Sequence, residues 1–534
     1  MGSRRGGRVR LRERDSRGGA LFSVYDRSGS VELARALAQA GVAIFATGGT
    51  RAHLNEHGVE ARDVGELTGF PPLFDGRVKT LHPKVFGAIL ADRRNPLHRD
   101  EAARYEIPRL DYVVVNHYPF EKTVAKTGAS LAEALEQIDI GGVALLRSAA
   151  KNFDNVTVVC DPAHYAEVAA ALPEGVDLAT RKRLATRAFE RTAEYDSAIA
   201  RYLEAGMVAS ELPGSLALTV PLAQPLRYGE NPQQRAAFYL AREERLPEQL
   251  HGKALSYNNL LDLDACLRVL YRAAIPFPAG AEAGPAAPHR AAIVKHTVPC
   301  GVAENASVAE AVAAALGADP ISAFGGIIAV DGTVDAATAE TLGEFFLEIV
   351  AAPAFDEPAL ERLRRKKNLR IMRFRPQLPA ELVTELEVRS ALCGILAQDA
   401  DPAATPERWH VAGKRAPTAS EWRDLGFAWD VVRHVKSNGV VIVSERSARG
   451  ICAGQTNRVS AVQIAAERAG ERARGAACAS DGFFPFADGL VAAADAGCTA
   501  VVAPSGSIRD AEVIAAADAR GIALVFSTYR FFLH

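Results

Sequence analysis

The sequence contains no apolar run approaching the length of a membrane span, no CxxC pair and almost no net charge. The first absence argues against a transmembrane helix. The second argues against a disulfide framework. Seven cysteines (Cys160, Cys266, Cys300, Cys393, Cys452, Cys478 and Cys498) are scattered and odd in number, which points to a reducing cytoplasm. The third, a formal net charge of −2, leaves no global pull toward nucleic acid or a membrane surface. Also missing are GxxxxGK[ST] and GxGxxG, so nucleoside triphosphates and dinucleotides lack support.

What remains is an ordinary globular mixture, 49% hydrophobic and 24% charged over 534 residues, too long for one core and suited to two or three domains. The start stands apart. Arg4, Arg5, Arg8, Arg10, Arg12, Arg14 and Arg17 sit among glycines with no apolar h-region, so a secretory signal is not expected. Residues 1–19 are expected to be a disordered Arg-rich tail, or read-through from an upstream start codon, in preference to a nucleic-acid-binding arm.

From Ala20 the pattern is α/β. Residues 20–24 and 42–46 read as buried strands flanking a helix with Val31, Leu33, Leu37 and Ala40 on one face. That is a βαβ unit and predicts a parallel sheet. Residues 112–116 form a further strand and 178–202 a helix; residues 440–443 and 500–503 are strands of a second α/β region. Periodicity weakens near residues 213–225, giving a domain of 20–215 and another of 216–534. A Pro/Ala/Gly-rich flexible insertion is expected near 276–290. No short-period repeat is visible.

Chemistry-bearing residues cluster at the predicted strand ends. Gly76-Arg77-Val78-Lys79-Thr80-Leu81-His82-Pro83 packs two cations, a hydroxyl and an imidazole into a short stretch. Thr47-Gly48-Gly49-Thr50 lies between a strand and a helix, where glycines let the backbone approach an anion and hydroxyls and helix N–H groups donate to phosphate. Asn116-His117-Tyr118-Pro119-Phe120, Asp139-Ile140-Gly141-Gly142 and Arg147-Ser148-Ala149-Ala150-Lys151 follow. Each alone reads as a capped turn; together they point to a site. Three tempting motifs fail. His53 to His57 matches HxxEH but falls on the helix after the glycine loop, where i,i+4 histidines arise by chance. Lys126-Thr127-Gly128 and Ser148-Ala149-Ala150-Lys151 match penicillin-binding signatures in the wrong order.

The second region offers Arg227-Tyr228-Gly229-Glu230-Asn231-Pro232, residues 253–259, and Val294-Lys295-His296. A Lys-His pair combines a fixed cation with a proton acceptor, although a capped strand end accounts for such a dipeptide equally well. A deaminase-type zinc site needs HxE and PCxxC. Val298 and Ala303 occupy the missing Glu and Cys positions, so no catalytic metal is expected. Ser322-Ala323-Phe324-Gly325-Gly326, Asn438, Arg458, Asp481 ahead of Phe483-Phe484-Pro485-Phe486, residues 504–507 and Arg530 complete the set.

These segments, in this order, resemble a family of bifunctional purine-biosynthesis enzymes. Ser23, the Thr47–Thr50 loop, the 76–83 stretch, Asn116 to Phe120, Asp139 to Gly142 and Ala149 to Asn152 are similar to the inosine monophosphate cyclohydrolase domain, with its methylglyoxal-synthase-like parallel sheet. The later segments are similar to the transformylase half, a pair of cytidine-deaminase-like α/β subdomains without the metal. The resemblance implies formyl transfer from 10-formyltetrahydrofolate to the 5-amine of 5-aminoimidazole-4-carboxamide ribonucleotide, then ring closure with loss of water. It implies His296 as base and Lys295 as the cation for the oxyanion or leaving group. Arg227, Tyr228 and Arg530 would hold the nucleotide, Arg458 would belong to the binding set, and Phe324, Gly325, Asn438 and Asp481 would position folate or ring. For cyclisation it implies Lys79 and Tyr118 at the formyl carbonyl and Asp139 with Lys151 for proton transfer. Ser23, Arg27, Thr47, Gly48, Gly49, Thr50, Arg77, Thr80, Asn116 and Gly141 would form the nucleotide pocket. A cytoplasmic homodimer with transformylase sites at its interface is also implied, acting on small molecules with no membrane or nucleic-acid partner.

The chain departs from the family pattern at Gln233 (commonly His), Tyr25 and Arg27 (commonly Ser and Lys) and Val298 (commonly polar). His82 is expected to shape the loop beside Pro83. Rival readings are a cyclohydrolase with a weakened transformylase half, a nucleotide-sensing module without catalysis, and nucleic-acid binding through the Arg-rich tail.

Overall fold

The computed structural model describes residues 18–71, 73–118, 120–124, 130–204, 212, 214–240, 245–275, 277–281, 284, 287–383, 386–400 and 409–534. Residues 1–17 of the expected tail, and Lys126-Thr127-Gly128, lie outside them. The chain divides into two compact units, residues 1–220 and 221–534.

The first unit is built on a five-stranded, wholly parallel sheet. Its strands are β1 (Gly19–Val24), β2 (Ala43–Ala46), β3 (Arg62–Asp63), β4 (Leu110–Asn116) and β5 (Thr157–Val159), in the order β3-β2-β1-β4-β5. The helices α1 (Ser30–Gln39), α2 (Gly48–Glu56), α3 (Pro83–Leu90), α4 (Gly141–Lys151) and α5 (Leu178–Glu204) complete the frame. Parallel strands need crossovers that cover both faces. Accordingly each face has its core, one around Phe22, Leu33, Leu37 and Val114, the other around Leu21, Ile89, Val113 and Leu145. Strand order turns about β1, so the C-terminal ends of β1, β2 and β4 form the crevice where such sheets take ligands.

The second unit carries a twelve-stranded mixed sheet that repeats one topology twice. The first copy comprises β6 (Glu248–His251), α6 (Tyr257–Leu270), β7 (His289–Lys295), β8 (Val298–Asn305), α7 (Val308–Leu316), β9 (Ile327–Val330), α8 (Ala336–Glu344), β10 (Ile349–Ala352), α9 (Glu357–Leu363) and β11 (Arg370–Arg373). The second comprises β12 (Trp409–Val411), α10 (Ala419–Val432), β13 (Val440–Ser444), β14 (Ser447–Cys452), α11 (Arg458–Ala469), β15 (Ala477–Ser480), α12 (Asp488–Asp495), β16 (Ala500–Pro504), α13 (Asp510–Arg520) and β17 (Ala523–Ser527). The sheet runs β12-β17-β16-β15-β13-β14-β8-β7-β9-β10-β11-β6, the two copies meeting where β14 pairs antiparallel with β8. Details recur as well. A Cβ at Gly301 in β8 would collide with the Ala315 carbonyl of the next helix, and one at Gly450 in β14 with that of Ala465. In both copies only glycine lets the helix lie that close. The repeat has a long period and little sequence identity, which is why no short-period signal betrayed it.

Helices α6 and α10 pack on one face over a core shared by both copies, while the opposite face has a separate core in each. The near-continuous Val/Ile runs of β7 and β13 follow from burial on both faces. The Pro/Ala/Gly segment is shorter than expected, since His289 and Arg290 already belong to β7.

Candidate functional site

In the first unit the crevice is assembled by side chains that tie strand ends together. Asn116, the last residue of β4, accepts the N–H groups of Tyr25 and Asp26 at 2.7 and 2.9 Å and returns its own N–H to the Asp26 carbonyl. The first loop is thereby clamped to the sheet. Thr50 is bonded to Val24 N and O at 3.0 and 3.1 Å, and Thr47 donates to Ser23 Oγ at 3.2 Å. Thr47 is the N-cap residue of α2, yet its side chain does not cap it. A Cβ at Gly49 would lie 3.1 Å from Arg27 Nη2, so the guanidinium rests against the start of this helix. A cation at the positive end of a helix dipole is unfavourable alone, and an anion between the two resolves the conflict.

The opposite wall comes from residues 76–80 and 139–141. Thr80 is buried, its hydroxyl so near Gly141 that a Cβ there would approach to 2.8 Å. Asp139 accepts the Gly142 N–H at 2.8 Å, and its own N–H donates to Tyr195 of α5 at 2.9 Å. Behind it His117 stacks on Tyr195 at 4.6 Å, with Nδ1 3.7 Å from the Asp139 carboxylate. Tyr118 is half-exposed against Tyr25, ring centroids 5.5 Å apart. This is how the loop accommodates the bulky Tyr25. Burial, then Asp139, then Tyr25 push the Tyr118 phenol above its ordinary value.

Two expected members stand elsewhere. Arg77 points outward into an exposed pair with Glu136 at 2.5 Å. Such a pair is worth at most about 1 kcal/mol, so a phosphate can displace it. Lys151 ends α4, whereas Asp139 precedes its start. At 1.5 Å per residue the eleven residues of α4 separate them by about 16 Å along the axis, so the two residues expected to manage proton transfer do not stand side by side within one chain. His82 accepts the Lys84 N–H at 3.1 Å and caps α3, with Pro83 as its first residue.

In the second unit the antiparallel pairings of β7, β8, β14 and β13 bring the end of β7 and the starts of β9 and β13 to one sheet edge, with the ends of β15 and β17. Lys295, His296, Phe324, Gly325, Asn438, Asp481 and Arg530 all emerge there. β13 lies three strand spacings from β7, about 14 Å, enough for a nucleotide beside a planar cofactor. Lys295 donates to the Phe324 carbonyl at 2.6 Å, immediately before Gly325, whose φ of 74° suits glycine. His296 is exposed and sits in a two-residue turn with φ of 54°. The Arg227 guanidinium lies 5.3 Å from the Tyr228 ring, and Asn258 at the start of α6 donates to the Glu230 carbonyl at 3.3 Å. Gln233 is exposed; Gln234 closes that loop by accepting Asn231 N–H at 2.8 Å.

Asp481 faces inward. It is fully buried, pairs with Arg458 and accepts the Ser437 hydroxyl at 2.5 Å. Both residues therefore brace the neighbouring loops from beneath the sheet edge. Asn438 donates to the Gln455 carbonyl at 2.8 Å, and the C-terminal segment crosses beside it, Ser437 N–H donating to Leu533 O at 2.9 Å. Arg530 is exposed next to the Phe532 ring, 4.5 Å away. Sequence reading missed Asp262, whose carboxylate accepts His296 and Thr297 N–H groups. It lies just beyond the 253–259 segment, and only one helical turn from Asn258. Tyr195 was also missed, because an aromatic inside a long amphipathic helix carries no signal beyond packing. No group of three or more His, Cys, Asp or Glu side chains suited to a metal occurs among the described residues. No described helix is long and apolar enough to cross a membrane.

Comparison with known proteins gives the family. A family model described as the AICARFT/IMPCHase bienzyme matches residues 149–468, and one for the MGS-like domain matches residues 29–144. The chain is similar to the bifunctional purine biosynthesis protein PurH of Chloroflexus aurantiacus, 49% identical over 96% of this chain and 98% of that one. The PurH proteins of Desulfitobacterium hafniense and Bacillus cereus are 46% and 44% identical, each aligned over 96% of this chain and 99% of its own. The crystal structure of ForH aligns with 35% of this chain and 98% of its own, at 36% identity and a TM-score of 0.34.

Proposed function

The chain belongs to the AICARFT/IMPCHase bienzyme family, and from that premise we propose that its two units carry two consecutive reactions of purine biosynthesis. The second unit transfers a formyl group from 10-formyltetrahydrofolate to the 5-amine of aminoimidazole carboxamide ribonucleotide. The first closes the formylated product to inosine monophosphate. One observation carries the division: each unit gathers most of its chemistry-bearing segments at a single edge of its own sheet.

The 5-amine is a weak nucleophile because its lone pair is delocalised into the ring. As it attacks the formyl carbon, His296 takes its proton, helped by the neighbouring carboxamide. The tetrahedral oxyanion forms beside the Lys295 ammonium, which its bond to Phe324 O keeps at the same edge. Collapse expels the tetrahydrofolate nitrogen, which accepts a proton as it leaves. Arg227, Tyr228 and Arg530 hold the ribonucleotide, and Phe324 with the Asn438 loop frames the pterin. Phe324 and Phe486 are 61% and 48% exposed, apolar surface that a folate ring or a second copy of the chain would cover. A homodimer sharing this edge is part of the proposal.

For ring closure the carboxamide nitrogen adds to the formyl carbon. The Tyr118 phenol donates to the formyl oxygen, Lys79 supplies positive charge, and Asp139 accepts the nitrogen's proton; water then departs. Ser23, Arg27, Thr47 to Thr50, Thr80, Asn116 and Gly141 form the ribose-phosphate pocket, with Arg77 recruited from Glu136. Lys151 has no step here.

A coupled assay with each unit disabled separately tests the division. His296→Ala is expected to slow formyl transfer severely and spare cyclisation, and Tyr118→Phe to slow cyclisation about 10²-fold and spare formyl transfer. Wild-type formyl transfer no faster than a Lys295→Ala, His296→Ala double variant would sink the bifunctional reading.

A further inference from the structure

The turn that carries His296 is conformationally demanding. His296 and Thr297 have φ of 54° and 62°, and the two residues link β7 to β8 with both in the left-handed region. Such turns favour Asn-Gly and similar pairs. A β-branched threonine there is strongly disfavoured, so the turn sequence does not hold this shape by itself.

The support comes from α6. Asp262 spreads its carboxylate across the turn, Oδ2 accepting His296 N–H at 3.3 Å and Oδ1 accepting Thr297 N–H at 2.6 Å. The helix beneath is anchored by buried Leu263, Cys266 and Leu267. Lys295, just before the turn, is tied to Phe324. The base and the cation are thereby fixed by three hydrogen bonds, none of which involves the imidazole ring.

The second copy supplies a twin. Asp424, the sixth residue of α10 as Asp262 is of α6, accepts the Glu445 and Arg446 N–H groups at 3.0 and 2.8 Å. Glu445 and Arg446 have φ of 55° and 53°. The same carboxylate clamp thus holds the same kind of turn twice, but only the first turn carries Lys-His. At the opposite sheet edge the twin holds Ser444-Glu445-Arg446, with no base beside a lysine.

We propose that Asp262 is a positioning residue for formyl transfer: its carboxylate locks the left-handed turn that aims His296 at the substrate amine. The proposal rests on His296 being the base, so both are tested together in the full-length protein.

Asp262→Ala is expected to lower kcat for formyl transfer about 10- to 100-fold, as sub-ångström misplacement of a reacting group does, with little change in KM. Cyclisation by the first unit of the same chain is expected to stay at wild-type rate, and the fluorescence of Trp409, Trp422 and Trp429 serves as the folding control for the second unit. Asp262→Asn, keeping one acceptor, is expected to lose less. Thr297→Gly, which adopts positive φ freely, is expected to recover much of the kcat lost in Asp262→Ala. Asp262→Ala added to His296→Ala is expected to cost nothing further, because both act through one imidazole. Asp424→Ala is expected to leave formyl-transfer kcat unchanged. Wild-type kcat in Asp262→Ala, or losses that multiply in the double variant, overturns the positioning role. Should Asp262→Ala unfold the second unit, Asp262→Asn with and without Thr297→Gly decides: no loss, or no recovery, overturns it equally. If His296→Ala leaves formyl transfer intact, the underlying reading fails instead.

Discussion

The Lys295 ammonium donates to the Phe324 carbonyl at 2.6 Å, so the end of β7 and the loop entering β9 are joined by the cation assigned to the oxyanion. Preorganised charge of this kind stabilises a transition state without having to move during the reaction. Lys295→Met is expected to lower formyl-transfer kcat by about 10²- to 10³-fold and to leave KM for the ribonucleotide nearly unchanged. Lys295→Arg is expected to recover little, since a planar guanidinium does not replace a compact ammonium held by one carbonyl. Steady-state kinetics with saturating folate checks both. A wild-type kcat in Lys295→Met would remove the lysine from the chemistry.

Tyr118 is raised above the ordinary phenol value by burial first, then by Asp139 and Tyr25. The sign matters: a raised phenol stays protonated through neutral pH and acts as a donor. Cyclisation is therefore expected to show no tyrosine titration below about pH 10. Tyr118→Phe is expected to reduce kcat by about 10²-fold at every pH, leaving the profile's shape intact. A pH–rate series on both proteins reads this out. A profile that changes shape in the variant would instead make the phenolate the active form.

Much of this arrangement was legible in the sequence, for identifiable reasons. Strands such as Val440–Ser444 and Leu110–Asn116 are buried, and burial writes itself as apolar runs. Glycines and hydroxyls at strand ends marked the crevice, because backbone conformation restricts which residues can stand there. Contacts between distant segments left no such trace. The outward turn of Arg77 depends on Glu136. The inward turn of Asp481 depends on Arg458 and Ser437. The separation of Lys151 from Asp139 left no trace either, because a motif records order along the chain, whereas α4 carries its two ends apart. The Asp262 clamp was invisible for a related reason: its partners are backbone N–H groups, which every residue has.

Arg290 of β7 binds Asp430 of α10 at 2.7 Å and Glu304 of β8 at 2.8 Å, all three side chains at most 6% exposed. The cluster joins the two copies of the repeat. Removing one member of such a buried set leaves an uncompensated charge, a loss of about 3–5 kcal/mol. Asp430→Ala is expected to destabilise the second unit by that amount while leaving the first unit's cyclisation intact at low denaturant. Urea unfolding followed by the fluorescence of Trp409, Trp422 and Trp429, which cluster in this unit, measures it. A loss under 1 kcal/mol would mean that water or a neighbouring group takes over the carboxylate's role.

Glu421 links pH to stability in the same unit. Burial alone would raise its carboxyl, but Arg415 donates to both oxygens at 2.7 and 2.9 Å and Thr418 N–H adds a bond at 2.8 Å. The net effect holds it down to about 2, against an ordinary 4.5. A carboxylate depressed by folding stabilises fully above its unfolded value, and that stability is lost as pH falls toward the folded one. The window is therefore pH 4.5 down to 2, and the contribution at stake is about 3 kcal/mol. Unfolding free energy is expected to decline across that window in the wild type. In Glu421→Gln, which cannot ionise, the decline is expected to be shallower by this amount and the starting stability at pH 7 lower. Parallel slopes for the two proteins between pH 4.5 and 2 would show that the Arg415–Glu421 pair does not set acid stability.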